Sequence, residues 1–161
     1  GLNSGANDYI TKPFDPEVLN TKLRSILDTQ TKLQVKFKKN LLFQPKEVTG
    51  GTKDDAFIKQ IIEIIEENIA EDNFGVELLA QKLNITQISL YRKLKKISGL
   101  SANEFIRLIR LRKAASYVKA DSELTINEIA VMVGFNDVQY FRQCFKKEFG
   151  VNPNTYKNKE K

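Results

Sequence analysis

At 161 residues the chain has room for one domain of about 100 to 150 residues and a flanking segment. One cysteine and no histidine exclude an internal disulfide, a Cys/His zinc site and histidine-based nucleophiles, and a formal net charge of +6 favours an anionic partner. The single cysteine fits a reducing cytoplasm, and with no apolar run near the ~18 residues of a membrane span and no signal-peptide pattern the segment is expected to make no membrane contact itself.

Residues 1–39 do not read as a complete domain. GANDYITKPFDPEVLNTKLRSIL suggests a turn, a short strand at Tyr9 to Thr11 and a Lys12-Pro13-Phe14 corner. A helix follows, with Asp15 as N-cap, Pro16 at its first position and Leu19, Leu23, Ile26 and Leu27 along one stripe. Lys32 to Lys53 has scattered apolar residues, several lysines, Pro45 and the Gly50-Gly51 pair, and reads as a linker. The domain division is therefore 1–39 for the fragment, 40–53 for the linker and 54–161 for a helical domain.

From Asp54 the pattern becomes helical, with Phe57, Ile61, Ile64, Ile65 and Ile69 on one side, acids on the other and Gly75 after the end. Two shorter helices are expected over Val76 to Leu83 and Thr86 to Ile97, turning at Asn84. A wheel centred on Leu90 turns Leu94 and Ile97 inward and leaves Ile88, Tyr91, Arg92, Lys95 and Lys96 outward or lateral. A capping box, Ser101 with Glu104, opens a long helix through Phe105, Ile109, Leu111 and Ala115 to about Lys119. A second box, Thr125 with Glu128, opens a short helix with Ile129 and Val133 inward, and Gly134 allows a tight turn. Asp137 then caps a helix that sets Phe141, Phe145 and Phe149 on a buried face, opposite Gln139, Arg142, Gln143 and Lys146. Cys144 lies beside that buried face and is expected to pack as a thiol. Pro153 and Tyr156 suggest a last short helix before a basic tail.

The chain repeats itself. Thr86–Leu100 lies over Asp137–Val151 without a gap, matching Leu90 to Phe141, Leu94 to Phe145, Lys95-Lys96 to Lys146-Lys147 and Gly99 to Gly150. Two copies of a helix pair, each with one polar and basic helix, suggest two reading heads held apart by the long helix. Charge is unevenly spread: Asp54 to Glu77 is acidic, whereas Arg92 to Lys113, which includes Arg107, Arg110 and Arg112, is basic and gives the molecule a positive side. The fold class expected is all-α, with two helix-turn-helix subdomains on a central helix and an N-terminal remnant of a short strand plus a helix. No catalytic residue, metal or cofactor is expected.

GLSANEFIRLIRLRKAASYV followed by TINEIAVMVGFNDVQYFRQCFKKEFGVNPNTY resembles the AraC/XylS-type DNA-binding domain, including its GF-x-D-x-x-YF-x-x-x-FKK-x-FG-x-x-P-x-x-Y signature, over about Asp54 to Tyr156. Asn152-Pro153 stands where that family most often has Ser-Pro. The resemblance implies a sequence-specific transcription regulator that reads a bipartite site on double-stranded DNA and works with the transcription machinery, with a homodimer on DNA left open. By family position Ile88, Tyr91 and Arg92 would read bases of the first box and Gln139, Arg142 and Gln143 those of the second. Thr86, Lys95, Lys96, Lys146 and Lys147 would hold phosphates. The GAxDYxxKPF pattern at the start resembles the C-terminal end of a two-component receiver, in which Lys12 matches the lysine that contacts the phosphoaspartate and the Lys12-Pro13 bond would be cis. The receiver's acidic pocket would belong to strands outside this sequence, so no phosphoryl chemistry is expected here. FQPKEVTGGTKDDAFIKQ resembles hybrid two-component systems, which implies a histidine kinase parent, a phosphorelay and an anchor in the inner membrane. The competing reading is a helical protein-interaction module without DNA specificity.

Overall fold

The computed structural model describes residues 12, 13, 15–43, 52–120 and 123–158. Among these every regular element is an α-helix: α1 (Pro16–Phe43), α2 (Lys53–Glu67), α3 (Val76–Lys82), α4 (Gln87–Ser98), α5 (Ala102–Lys119), α6 (Ile126–Met132), α7 (Val138–Phe149) and α8 (Pro153–Asn158). The expected strand at Tyr9 to Thr11 and the Gly50-Gly51 pair lie outside the described residues. The chain divides into two units, residues 1–36 and 37–161.

In the first unit the Lys12-Pro13 bond is cis and both residues are exposed. Asp15 caps α1 as expected, its Oδ1 accepting from the Glu17 amide at 2.8 Å. Of the predicted stripe, Leu19 and Ile26 are half-buried while Leu23 and Leu27 are exposed.

The second unit begins inside α1, and here the linker reading is corrected. Between Pro16 and Pro45 there is no glycine or proline to stop a helix, so α1 continues to Phe43. Phe37 and Leu41, one turn apart, pack into the first core, and Leu41 is fully buried. Lys38 pairs with Glu148 on α7 at 2.7 Å.

α2 starts one residue before the expected Asp54, because Thr52 and Asp55 form a capping box that sequence reasoning missed. Its Ile58, Ile61 and Ile65 are buried, with Phe57, Ile62 and Ile64 packed at the margin. Both expected boxes are present: the Glu104 carboxylate accepts from the Ser101 amide at 2.8 Å, and that of Glu128 from the Thr125 amide at 2.7 Å.

Two apolar cores are strung along α5. Its N-terminal half, through Phe105, Leu108 and Ile109, closes a core with α2, α3 and α4. Its C-terminal half, through Leu111, Ala114, Ala115 and Val118, closes another with α6, α7 and α8. An 18-residue helix that is buried nearly all round can serve as a wall to both. Phe149, expected within the buried face, is half-buried and packs against both cores, so it marks their seam.

Candidate nucleic-acid interface

Each helix pair presents its second helix to solvent by the same local means. Thr86 caps α4 with its hydroxyl oxygen accepting from the Ser89 amide at 3.1 Å, and Asp137 caps α7 with Oδ1 accepting from the amides of Gln139 and Tyr140 at 2.7 and 3.0 Å. Gly99 and Gly150 end the two helices in the left-handed conformation, with φ of 74° and 76°. Between these ends Leu90 and Leu94 anchor α4, and Phe141 and Phe145 anchor α7. The repeat seen in the sequence is therefore a repeat of caps, anchors and exposed faces.

On α4 the exposed face carries Ile88 and Tyr91, 64% and 50% accessible, with Arg92, Lys95 and Lys96. Large apolar side chains this exposed at the start of a polar helix suit contact with base edges and thymine methyls. On α7 Gln139, Arg142, Gln143, Lys146 and Lys147 are all exposed. Arg142 reaches across the turn to donate to the Asn127 Oδ1 at 3.2 Å, which ties α7 to α6. The Thr86 hydroxyl also donates to the Ser89 Oγ at 3.0 Å, so this oxygen is engaged within the cap. Lys12 and Pro13 belong to the other unit. The Cys144 thiol is buried beside Phe141 and Phe145.

The basic stretch of α5 is the chief departure from the sequence reading. Arg107 donates to the Tyr140 hydroxyl at 3.0 Å, Arg112 bonds to Glu66, and Lys113 lies over the Tyr117 ring at 5.6 Å. Arg110 donates to the Gly134 carbonyl at 3.1 Å and to those of Glu71 and Phe74 at 2.6 and 3.3 Å. Burial pulls its guanidinium below the ordinary arginine value, against the opposing charge of Asp72. Exposed positive charge lies on α4 at Arg92, Lys95 and Lys96 and on α7 at Arg142, Lys146 and Lys147, whereas Arg107, Arg110 and Arg112 of α5 are engaged by partners within the protein. Tyr140, 46% exposed on the flank of α7, went unsingled in the sequence because its partner lies far upstream.

Glu104 is held below the usual carboxylate range by its backbone hydrogen bond at Ser101 and then by the Ser101 hydroxyl, with Lys95 and Arg107 adding to the effect. Glu128 is lowered in the same way at Thr125. Among the described residues no three acidic, cysteine or histidine side chains converge on a metal position, and no helix is long and apolar enough to cross a membrane.

A family profile described as a helix-turn-helix domain matches residues 79–159. Over 159 residues, 99% of this chain, the sequence is 34% identical to Histidine kinase P4 of Formosa agariphila, of which it spans 12%. It is 31% identical over 113 residues, 70% of this chain, to the HTH-type transcriptional activator RhaS of Salmonella schwarzengrund, of which it spans 40%. Among solved structures it resembles the C-terminal domain of AraT, a response regulator from Geobacillus stearothermophilus, with a TM-score of 0.60 and 30% identity over 67% of this chain and 88% of that one.

Proposed function

Because the chain belongs to the AraC-type helix-turn-helix domain family, the DNA-binding domain of transcription regulators, we propose that it reads two boxes in successive major grooves with α4 and α7 and is the output end of a two-component regulator. The observation that carries the two-box reading is the matched pair of exposed faces, each capped, anchored and terminated alike. In this reading Arg92 pairs with a guanine through its planar fork, and Gln139 or Gln143 pairs with an adenine, each pair contributing about 1 to 3 kcal/mol of discrimination. Ile88 and Tyr91 contact thymine methyls and base edges, and Arg142 adds a second guanidinium to the distal box. Lys95, Lys96, Lys146 and Lys147, with the helix start at Thr86, position the phosphate backbone and carry no sequence information.

The two-component assignment draws support from the receiver-like GANDYITKPF stretch, from the kinase relative that matches almost the whole chain, and from the likeness to the C-terminal domain of the response regulator AraT. The matched kinase is far longer than this chain, so the parent's phosphorelay, its membrane anchor and its contacts with the transcription machinery belong to this proposal.

Selection of duplexes from a random library at near-physiological salt tests the reading, with the intact chain compared with Arg92→Ala. Two enriched boxes about ten base pairs apart, the first relaxed in the variant, are expected. Binding without enrichment that vanishes as salt rises would reduce the surface to a general polyanion binder.

A further inference from the structure

The two heads have separate apolar cores, and apolar contact resists separation far better than it resists rotation, because the hydrophobic effect has no direction. Hydrogen bonds do have direction. At the junction the Arg110 guanidinium on α5 donates to Glu71 and Phe74, in the connection that leads into the first helix pair, and to Gly134, in the turn of the second. Asn136, two residues beyond Gly134 in the same turn, donates from Nδ2 to the Asp72 carboxylate at 3.0 Å. Gly134 sits so close to this cluster that a Cβ there would fall 2.5 Å from the Ile69 carbonyl oxygen and 2.8 Å from the Arg110 guanidinium carbon. A crevice of about 530 Å³, lined by Phe74, Ile106 and Phe135 as well as by Asn103, Arg107 and Tyr140, opens beside the cluster, so on this side the packing between the heads is incomplete.

We infer that Arg110, seconded by Asn136, is a positioning residue for operator recognition: it clamps the lead-in of the first reading head to the turn of the second and thereby sets the spacing and phase of the two boxes the protein accepts. The inference rests on the two-box reading. A planar guanidinium can satisfy three carbonyls in one plane, whereas the ammonium of lysine offers a compact point charge in the same place. One base pair inserted between the boxes moves the second by ~3.4 Å and turns it by roughly 35°, a displacement a clamped pair of heads resists and a loosened pair follows.

The test uses the full chain and duplexes that carry both selected boxes at spacings stepped by one base pair, beside duplexes with a single box. The wild type is expected to lose about tenfold in affinity, the scale of one lost base-pair contact, on a one-base-pair change of spacing. Arg110→Lys and Asn136→Ala should flatten that spacing dependence several-fold and leave single-box affinity and box sequence as in the wild type. Asn136 is exposed, so its variant keeps the test readable if Arg110→Lys folds poorly. A sharp wild-type profile retained by both variants overturns the clamp and leaves the two-box reading intact. A wild-type profile indifferent to spacing overturns both.

Discussion

Phe145→Ala offers the most direct test of how the second head is built. The ring is fully buried and lies between Phe141, Phe149 and Tyr156, with centroid distances of 5.8, 4.5 and 5.4 Å. Burial of a phenylalanine contributes about 1.5 to 3 kcal/mol, and each aromatic neighbour adds about 0.5 to 1.5. The site cannot collapse easily because its neighbours are anchored on α7 and α8, so a loss near the upper part of the usual ~3 to 5 kcal/mol range for Phe→Ala is expected. Set against the ~5 to 15 kcal/mol that holds a typical domain together, this is a large fraction of the total stability. Urea titration should show a lower midpoint, and amide exchange should show protection lost across α6 to α8 well before α2 to α4. In the selection assay the second box should weaken without changing its sequence. A loss under ~1 kcal/mol, or a new base preference at unchanged stability, would refute the assignment of Phe145 to the core.

Other substitutions separate causes the structure keeps apart. Gly150→Ala meets nothing within 4 Å and should cost only the left-handed backbone penalty of ~1 to 2 kcal/mol. Gly134→Ala adds a clash with the Ile69 carbonyl and Arg110, and its melting temperature should fall by clearly more than that of Gly150→Ala. Leu41→Ala, at a fully buried position on α1, should lower unfolding free energy by about 2 to 5 kcal/mol in denaturant titration, and an unchanged value would restore the linker reading. Glu104 and Glu128 both lie below their ordinary value of 4.5, so they stabilise the fold above that pH, and the benefit disappears as pH falls through their depressed folded values. The pair Glu104→Gln and Glu128→Gln should therefore be less stable than the wild type at neutral pH and lose less between neutrality and acid. Parallel stability profiles for the two proteins would contradict the capping assignment.

What the sequence made legible is what short-range physics decides. The Ser101–Glu104 and Thr125–Glu128 boxes, the Asp15 and Asp137 caps and the inward Leu90, Phe141 and Phe145 are all fixed by neighbours within a turn or two, and each is found where it was expected. The Thr52–Asp55 box carries the same signal with an aspartate in the third position, directly after the glycine pair that marks the stretch as linker. Lys36, Lys38 and Lys39 around Phe37 made that stretch look like linker, although nothing in it up to Phe43 breaks a helix. The arginines of α5 were misassigned for a different reason. Their acceptors, Glu71, Phe74, Gly134 and Glu66, come from other helices and connections, and no local pattern distinguishes an arginine that faces a phosphate from one that faces a carbonyl. For the candidate site, the outward faces of α4 and α7 followed from the wheel, and which side chain meets which base depends on a partner the sequence does not contain.

Two closed cores on one spindle also bear on how such a protein changes over generations. A substitution inside one head is felt first by that head's own core, so, if α4 and α7 each read one box as proposed, the preference for one box can drift while the other stays recognised. Ile69, packed against the second core from just beyond α2, and Phe149, packed against both, have no such privacy. On the proposed two-box reading, new target sequences would then be reached one box at a time, through side chains on α4 or α7, while the seam residues stay constrained by the packing they share.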